Sequence, residues 1–226
     1  MDTQFKVLPF KVHKEGKIYR TARRFSTSEA VSFLARKIKA LPANQYGVAV
    51  AAVGGPSGVG KSHLSVALAR VLGNTRIIEM DNWCGPLGKR DLTPEEVLEV
   101  LGLEQFRKDL ITLMENGSLE HPPKYVFYRT LDQPREYEET PLVLGGKNIL
   151  IINGAIVLHD RLKEIAQLRI GLNSVPDIRR MHLAKRGPYD RPEIPKYGFS
   201  VEAVKNAHLL VDLKYQDGRY SYEIFE

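Results

Sequence analysis

Eight consecutive residues carry the most specific chemistry in this chain: Gly55-Pro56-Ser57-Gly58-Val59-Gly60-Lys61-Ser62. They fit Gly-x-x-x-x-Gly-Lys-[Ser/Thr], the pattern of a phosphate-binding loop. Gly58 and Gly60 have no side chain, so backbone N–H groups can curl round an anion. A helix that starts at the end of the loop points its positive end into the same concavity. Lys61 can reach the β- and γ-phosphates of a nucleotide, and the Ser62 hydroxyl can ligate Mg²⁺. Gly55, Ser57, Val59 and His63 complete the predicted nucleotide-contacting set.

A second candidate group follows. Asp81 stands at the end of the apolar stretch Arg76-Ile77-Ile78-Glu79-Met80. Ligands of parallel sheets bind beyond the carboxyl ends of the strands, so a carboxylate there is a functional candidate, with turn-capping as the plain alternative. Trp83 is suited either to stacking on a bound molecule or to packing in the core. His121 can hydrogen-bond a hydroxyl or simply sit in a loop. Lys89, Arg90, Lys124, Arg129 and Arg135 surround the same region. If several converge they would recognise a phosphate or carboxylate; otherwise they are solvated charges. Arg179, Arg180, Lys185 and Arg186 form a basic helix before a Gly/Pro-broken loop, the composition of a hinged lid over about 179–198.

The elements that must hold these residues alternate between strand and helix. Tyr46 to Val53 is a short apolar run suited to a buried parallel strand, and His63 to Leu72 has helical spacing, with Leu64, Ala67, Leu68, Val71 and Leu72 on one face. Further strands are expected at 76–80, 147–152, 168–172 and 208–213. Helices are expected from Thr93-Pro94 to Asn116, over Ile156 to Gln167 and over Pro176 to Lys185, with Ser200 capping a short helix. This order implies α/β architecture, a mainly parallel five-stranded sheet covered on both faces. Residues 1–45 read as a basic extension: strands at 4–10 and 17–25 around Lys14-Glu15-Gly16, then a helix capped by Ser26 or Ser28 and carrying Ala30, Val31, Phe33, Leu34 and Ile38. Residues 46–226 read as the main domain, closing in a β-hairpin around Asp217-Gly218.

Composition narrows the classes. With 226 residues and 43% hydrophobic content, one domain with additions is expected. Cys84 is the only cysteine, which excludes a disulfide framework and a multi-cysteine metal site. No apolar run approaches the ~20 residues a membrane span needs, and Met1-Asp2-Thr3-Gln4 does not open a signal peptide. The expected setting is the cytoplasm, with no membrane partner. The net charge of +6 is compatible with a nucleic-acid surface, a cleft that attracts polyanionic nucleotides or a solvated surface, and the phosphate-binding loop favours the cleft. Nucleic acid is not expected as a partner, because stacking aromatics do not interleave with the basic N-terminal residues. A homo-oligomer is compatible with the composition.

The motifs in this order resemble the uridine kinase and phosphoribulokinase family of small-molecule kinases, over roughly residues 46–213. Gly54 to Ser62 is similar to that family's Gly-Gly-x-x-x-x-Gly-Lys-[Ser/Thr]. Met80-Asp81-Asn82-Trp83 is similar to its Asp-Ser-Phe-Tyr, in which the Asp is the base that receives the acceptor's proton. Ile149 to Gly154 resembles a strand ending Glu-Gly, with Asn153 where the family usually has Glu. Asp177 to Arg186 looks like the basic helix leading into a lid. The family's paired arginines fall on His182-Leu183, leaving Lys185 and Arg186 as the lid cations. Pro123-Lys124-Tyr125-Val126-Phe127 resembles Pro-x-Tyr-Asp-Phe, with Val126 replacing the Asp.

The resemblance implies the three-layer fold of P-loop NTPases. It also implies ATP and Mg²⁺ as cofactors and a small-molecule alcohol as acceptor, nucleoside or sugar-like or already phosphorylated. Asp81, Lys61 and Arg186 would be catalytic. Arg179 and Lys185 would join the loop on ATP. Asp81, Trp83, His121, Tyr125 and Arg129 would meet the acceptor, and Ser62 and Asp81 would handle the metal. Two other classes use the same loop: a nucleotide-dependent regulator, and an ATPase stimulated by nucleic acid. The absence of an Asn-Lys-x-Asp guanine signature argues against a GTPase.

Overall fold

The computed structural model describes residues 12–14, 17–19, 22–84, 94–124, 137–184 and 205–226. The central strand is β4 (Ala49–Gly54), and all six of its residues are buried. A strand of Ala and Val with no polar face can exist only where both sides of the sheet are covered. Val50 and Ala52 face one core and Ala51 and Val53 the other. The start of β4 is held by side chains: the Asn44 Oδ1 accepts from the Tyr46 and Val48 N–H groups, and the Gln167 Oε1 accepts from the Val50 N–H at 2.8 Å.

Around β4 lie β5 (Thr75–Glu79), β8 (Ile149–Gly154), β9 (Leu168–Ser174) and β10 (Leu209–Gln216), all parallel to it; β10 turns into the antiparallel β11 (Arg219–Phe225). The order is β3-β11-β10-β9-β4-β8-β5, where β3 is Ala22–Ser26. The expected α/β class and five parallel strands are present, but the sheet has seven strands. The added two join through antiparallel pairings: the C-terminal hairpin's second arm against β10, and a strand from the N-terminal segment against that arm. Two short pairs stand apart, β1 (Val12–Lys14) with β2 (Lys17–Tyr19), and β6 (Ser118–Leu119) with β7 (Leu142–Val143). Lys14 pairs with Lys17, while the expected turn at residues 15 and 16, the expected strand at 4–10 and Ser200 lie outside the described residues.

Helices α1 (Thr27–Lys39) and α2 (Lys61–Leu72) cover one face. Ser26 caps α1 in a capping box with Glu29, and the Ser26 hydrogen bonds hold the Glu29 carboxyl below its ordinary range. The apolar stripe of α2 is narrower than its spacing suggests: Leu64, Leu68 and Leu72 are buried, but Val71 is 48% exposed. Helices α3 (Pro94–Val100) and α4 (Leu103–Asn116) cover the other face through Leu98, Phe106, Leu110 and Leu113. The expected helix at 156–167 is absent. That segment is a chain of turns with i→i−3 bonds and a single 3₁₀ turn at Asp160–Leu162. Ile156, Val157 and Leu158 are consecutive and all buried, a pattern that departs from the one-sided burial of a surface helix. Tertiary packing therefore overrides helical preference. Helix α5 (Pro176–Ala184) follows β9. Among the described residues, no helix is long and apolar enough to cross a membrane.

The hairpin turn Asp217-Gly218 has positive φ at both positions, 51° and 76°, as a two-residue primed turn requires. On the outer edge the Arg24 guanidinium lies 2.8 Å from Glu223, and the Lys214 ammonium lies 3.5 Å from its other oxygen. Burial pushes the Glu223 carboxyl up, but the hydrogen bond from Arg24 and the charges of Lys214 and Arg24 outweigh it and hold the group below 4.5. A lowered carboxyl contributes stability that is full above its unfolded pKa and lost as pH falls through its folded one. Glu223→Gln should therefore cost about 0.5–1 kcal/mol at neutral pH, with the gap to wild type closing as the pH falls below the ordinary carboxylate range, as read by urea unfolding at neutral and acidic pH.

Candidate functional site

The chain leaves the carboxyl end of β4 where the sheet's winding reverses. Its next strand, β5, lies two places away on one side, while β9 lies against its other edge. Such a crevice is where open α/β sheets bind ligands. The loop that fills it is held tightly. Gly55 has φ 145°, and a Cβ there would lie 2.3 Å from the Leu172 carbonyl oxygen of β9. Val59 is 1% exposed and belongs to the core under α2, so the loop is nailed down in its middle. Gly60, at φ 93°, precedes α2, whose first bond runs from the Leu64 N–H to the Gly60 carbonyl. The N–H groups of Lys61, Ser62 and His63 thus open the helix without intrahelical partners. The Lys61 ammonium donates to the Pro56 carbonyl at 3.0 Å, spanning the loop. Ser62 and His63 are exposed.

Helix α5 forms the loop's outer wall. The Arg179 Nε donates to the Ser57 carbonyl at 3.2 Å, and the His182 Nδ1 lies 2.8 Å from the Gly58 carbonyl. The His182 Nε2 lies 2.8 Å from the Tyr220 hydroxyl on β11. Arg180 turns outward and pairs with Asp177. Of the expected lid cations, Arg179 therefore meets loop backbone, whereas Lys185 and Arg186 lie outside the described residues.

On the other side of β4, β5 ends in a 3₁₀ turn, Met80–Trp83. Met80 is buried against Gly154, where a Cβ would lie 2.8 Å from the Met80 Cβ; this contact fixes the turn, and Asp81 projects from it exposed. Among the described residues the Asp81 carboxylate has no hydrogen-bond or ion-pair partner. Trp83 is 2% exposed, packs edge-on against Phe106 and donates its Nε1–H to Asp109 at 2.7 Å. It also lines a cleft of about 320 Å³ with Arg76, Glu79, Asn82, Pro122 and Glu138. His121 is exposed beside Pro122, and Tyr125, Val126 and Arg129 lie outside the described residues, as do Lys89, Arg90 and Arg135.

Asn153, 4% exposed, sits in register with both Val53 of β4 and Glu79 of β5, and its Nδ2 lies 3.4 Å from a Glu79 oxygen. An acidic side chain is therefore present at this end of the sheet one strand over from the position where the sequence has an amide. Among the described residues no group of three or more His, Cys, Asp or Glu could hold a metal ion by itself. A hydroxyl at Ser62 with carboxylates at Asp81 and Glu79 is an all-oxygen donor set. It suits Mg²⁺ bound through one or two protein oxygens, water and substrate phosphates.

Three participants were not picked out in the sequence: His182, Tyr220 and Glu79. Only His182 left a signal, as the residue standing where a pair of arginines is expected. Tyr220 and Glu79 are brought in by strand register alone.

No protein-family profile and no curated protein matches this chain. Among solved structures it is similar to a protein described as a possible uridine kinase from Bacillus stearothermophilus, at 18% identity and a TM-score of 0.51, covering 63% of this chain and 79% of that one. A candidate fructose transport system kinase from Silicibacter sp. TM1040 aligns at 22% identity over 69% of this chain and 80% of its own, with a TM-score of 0.47. The first likeness establishes a shared α/β fold.

The loop's glycines differ in what surrounds them, and that separates two substitutions. At Gly60 nothing lies within 4 Å of an added Cβ, so Gly60→Ala meets only the strain of its φ, about 1–2 kcal/mol. Gly55→Ala adds a backbone clash to an unfavourable φ. It should lower stability by clearly more, about 3 kcal/mol or above, in chemical denaturation of the two variants side by side.

Proposed function

We propose that this chain is an ATP-dependent kinase that transfers the γ-phosphoryl group to a hydroxyl of a small molecule. The observation that carries the reading is the pairing of two features at one end of the sheet. A glycine-shaped loop opens into a helix N-terminus after β4, and an exposed carboxylate, Asp81, with no partner among the described residues, follows β5. Phosphoryl transfer asks for positioning and charge neutralisation more than covalent chemistry. The loop N–H groups and α2 would hold the phosphates, and Lys61 would leave the Pro56 carbonyl to meet the γ-phosphate. Asp81 would orient the acceptor hydroxyl and take its proton. Mg²⁺, held by Ser62 with Asp81 or Glu79, would supply charge neutralisation at the phosphates. Lys185 and Arg186, following α5, would add positive charge over the same group.

The acceptor would approach Asp81 from the neighbouring cleft, which Asn82 and Trp83 of the same turn line. Among its described lining residues are one guanidinium, Arg76, and two carboxylates, Glu79 and Glu138. The neighbour described as a possible uridine kinase puts nucleosides first in a test panel.

Incubation of the chain with ATP, Mg²⁺ and a panel of nucleosides, sugars and sugar phosphates should add about 80 mass units to one acceptor. No product across the panel, with ADP released only on addition of RNA or DNA, would replace the kinase reading with a nucleic-acid-stimulated ATPase. In Asp81→Asn, ATP binding should persist while transfer falls about 10²–10⁴-fold. Near-normal turnover would remove Asp81 from the role of base.

A further inference from the structure

We propose that His182 is a positioning residue for the phosphates of the bound nucleotide, and that Tyr220 anchors its ring, so that the C-terminal hairpin tunes nucleotide affinity. The inference rests on the nucleotide-site reading above and adds to it a control acting from outside the loop.

A trans peptide unit carries its C=O and the following N–H in opposite directions. Whatever holds the carbonyl on one side therefore aims the amide to the other. The Ser57 carbonyl is held by the Arg179 Nε, which sends the Gly58 N–H away from α5. The Gly58 carbonyl is held by His182, which does the same for the Val59 N–H. Both amides are thus turned away from the helix that backs the loop. Loops of this kind bind anions by such converging backbone donors. The wall is close: a Cβ on Gly58 would lie 2.9 Å from the Arg179 carbonyl oxygen and 3.0 Å from the Leu183 Cγ. Glycine at 58, with φ 79°, is what lets α5 approach near enough for these two side chains to reach.

A carbonyl oxygen can only accept, so the His182 Nδ1 must carry the proton in that contact. The ring's other side accommodates that choice and anchors the ring. With a neutral ring, the Tyr220 hydroxyl at 2.8 Å donates to Nε2 and leaves the proton on Nδ1; with an imidazolium, Nε2–H donates to the Tyr220 oxygen and Nδ1–H is still present. In either charge state the Gly58 carbonyl keeps its donor. Tyr220 is itself held by its strand: it lies opposite Tyr215 across the hairpin, with ring centroids 4.8 Å apart, and packs on His182 at 5.6 Å. The path from hairpin to phosphate-binding amide is two hydrogen bonds and one peptide plane.

Titration with ADP and Mg²⁺, followed by calorimetry, distinguishes this from a merely structural contact. His182→Phe keeps the ring and loses both nitrogens, and should weaken ADP binding about 10-fold. His182→Asn places an amide donor near the position of Nδ1 and should stay within about 3-fold of wild type. Tyr220→Phe removes one hydroxyl and should weaken binding about 3-fold. Equal affinity in wild type, His182→Phe and Tyr220→Phe would overturn the proposal, as would an Asn variant no better than Phe. Should His182→Phe fail to fold, Tyr220→Phe alone decides. A wild-type chain that binds no ADP would refute the nucleotide site itself, a separate outcome from wild-type binding that these variants leave unchanged.

Discussion

A backbone that turns its N–H groups inward round an anion must turn its carbonyls outward, and those carbonyls need donors. This constraint governs the end of the molecule where the loop sits. Ser57 and Gly58 meet it with side chains of α5, and Pro56 meets it with the Lys61 ammonium. Three backbones must therefore come together within contact distance: the loop, β9 at Leu172 and α5 at Arg179. Gly55 and Gly58 are the positions where a side chain would prevent it. The loop's shape is a property of its neighbours as much as of its own residues.

The neighbours are placed by the two-sided burial of β4. Because its residues alternate between two cores, it stays in the middle of the sheet, with β8 and β9 in fixed register on either edge. That register brings the end of β8, at Asn153, level with the ends of β4 and β5. It also carries β9 past Gly55 before α5 begins. The same logic places Asp81: Met80, buried against Gly154, ends β5 and throws the next side chain into the open. Donor side and acceptor side are thus set by one sheet. The hairpin β10–β11 and strand β3 extend that sheet at the edge away from β5 and deliver Tyr220 to the back of the loop.

Much of this was legible in the residues because it is local. The apolar runs of β4 and β8, a serine cap for α1 at Ser26 or Ser28, the Asp217-Gly218 turn and the glycines of the loop each state their conformation within a few positions. What was not legible depends on distant partners. Ile156 to Gln167 has a helical composition, but burial of Ile156, Val157 and Leu158 together forces turns. Ala22 to Ser26 reads as part of a detached basic hairpin, yet it pairs with β11, where Glu223 compensates Arg24. Val71 has the spacing of a core residue and lies just beyond the stripe that α2 buries. His182 was visible as a departure from a pair of arginines; its contact with Gly58, 124 positions away, was not.

The central claim is that the backbone amides of the loop and the first turn of α2 hold nucleotide phosphates. The most direct measurement is an amide NMR titration of the ¹⁵N-labelled chain with ATP and Mg²⁺. The account predicts large, saturable shifts of the Gly58, Val59, Gly60, Lys61 and Ser62 N–H resonances, with those of α1 and α4 nearly still. Saturation with nucleotide that leaves these amides unmoved, or moves a different surface instead, would contradict it.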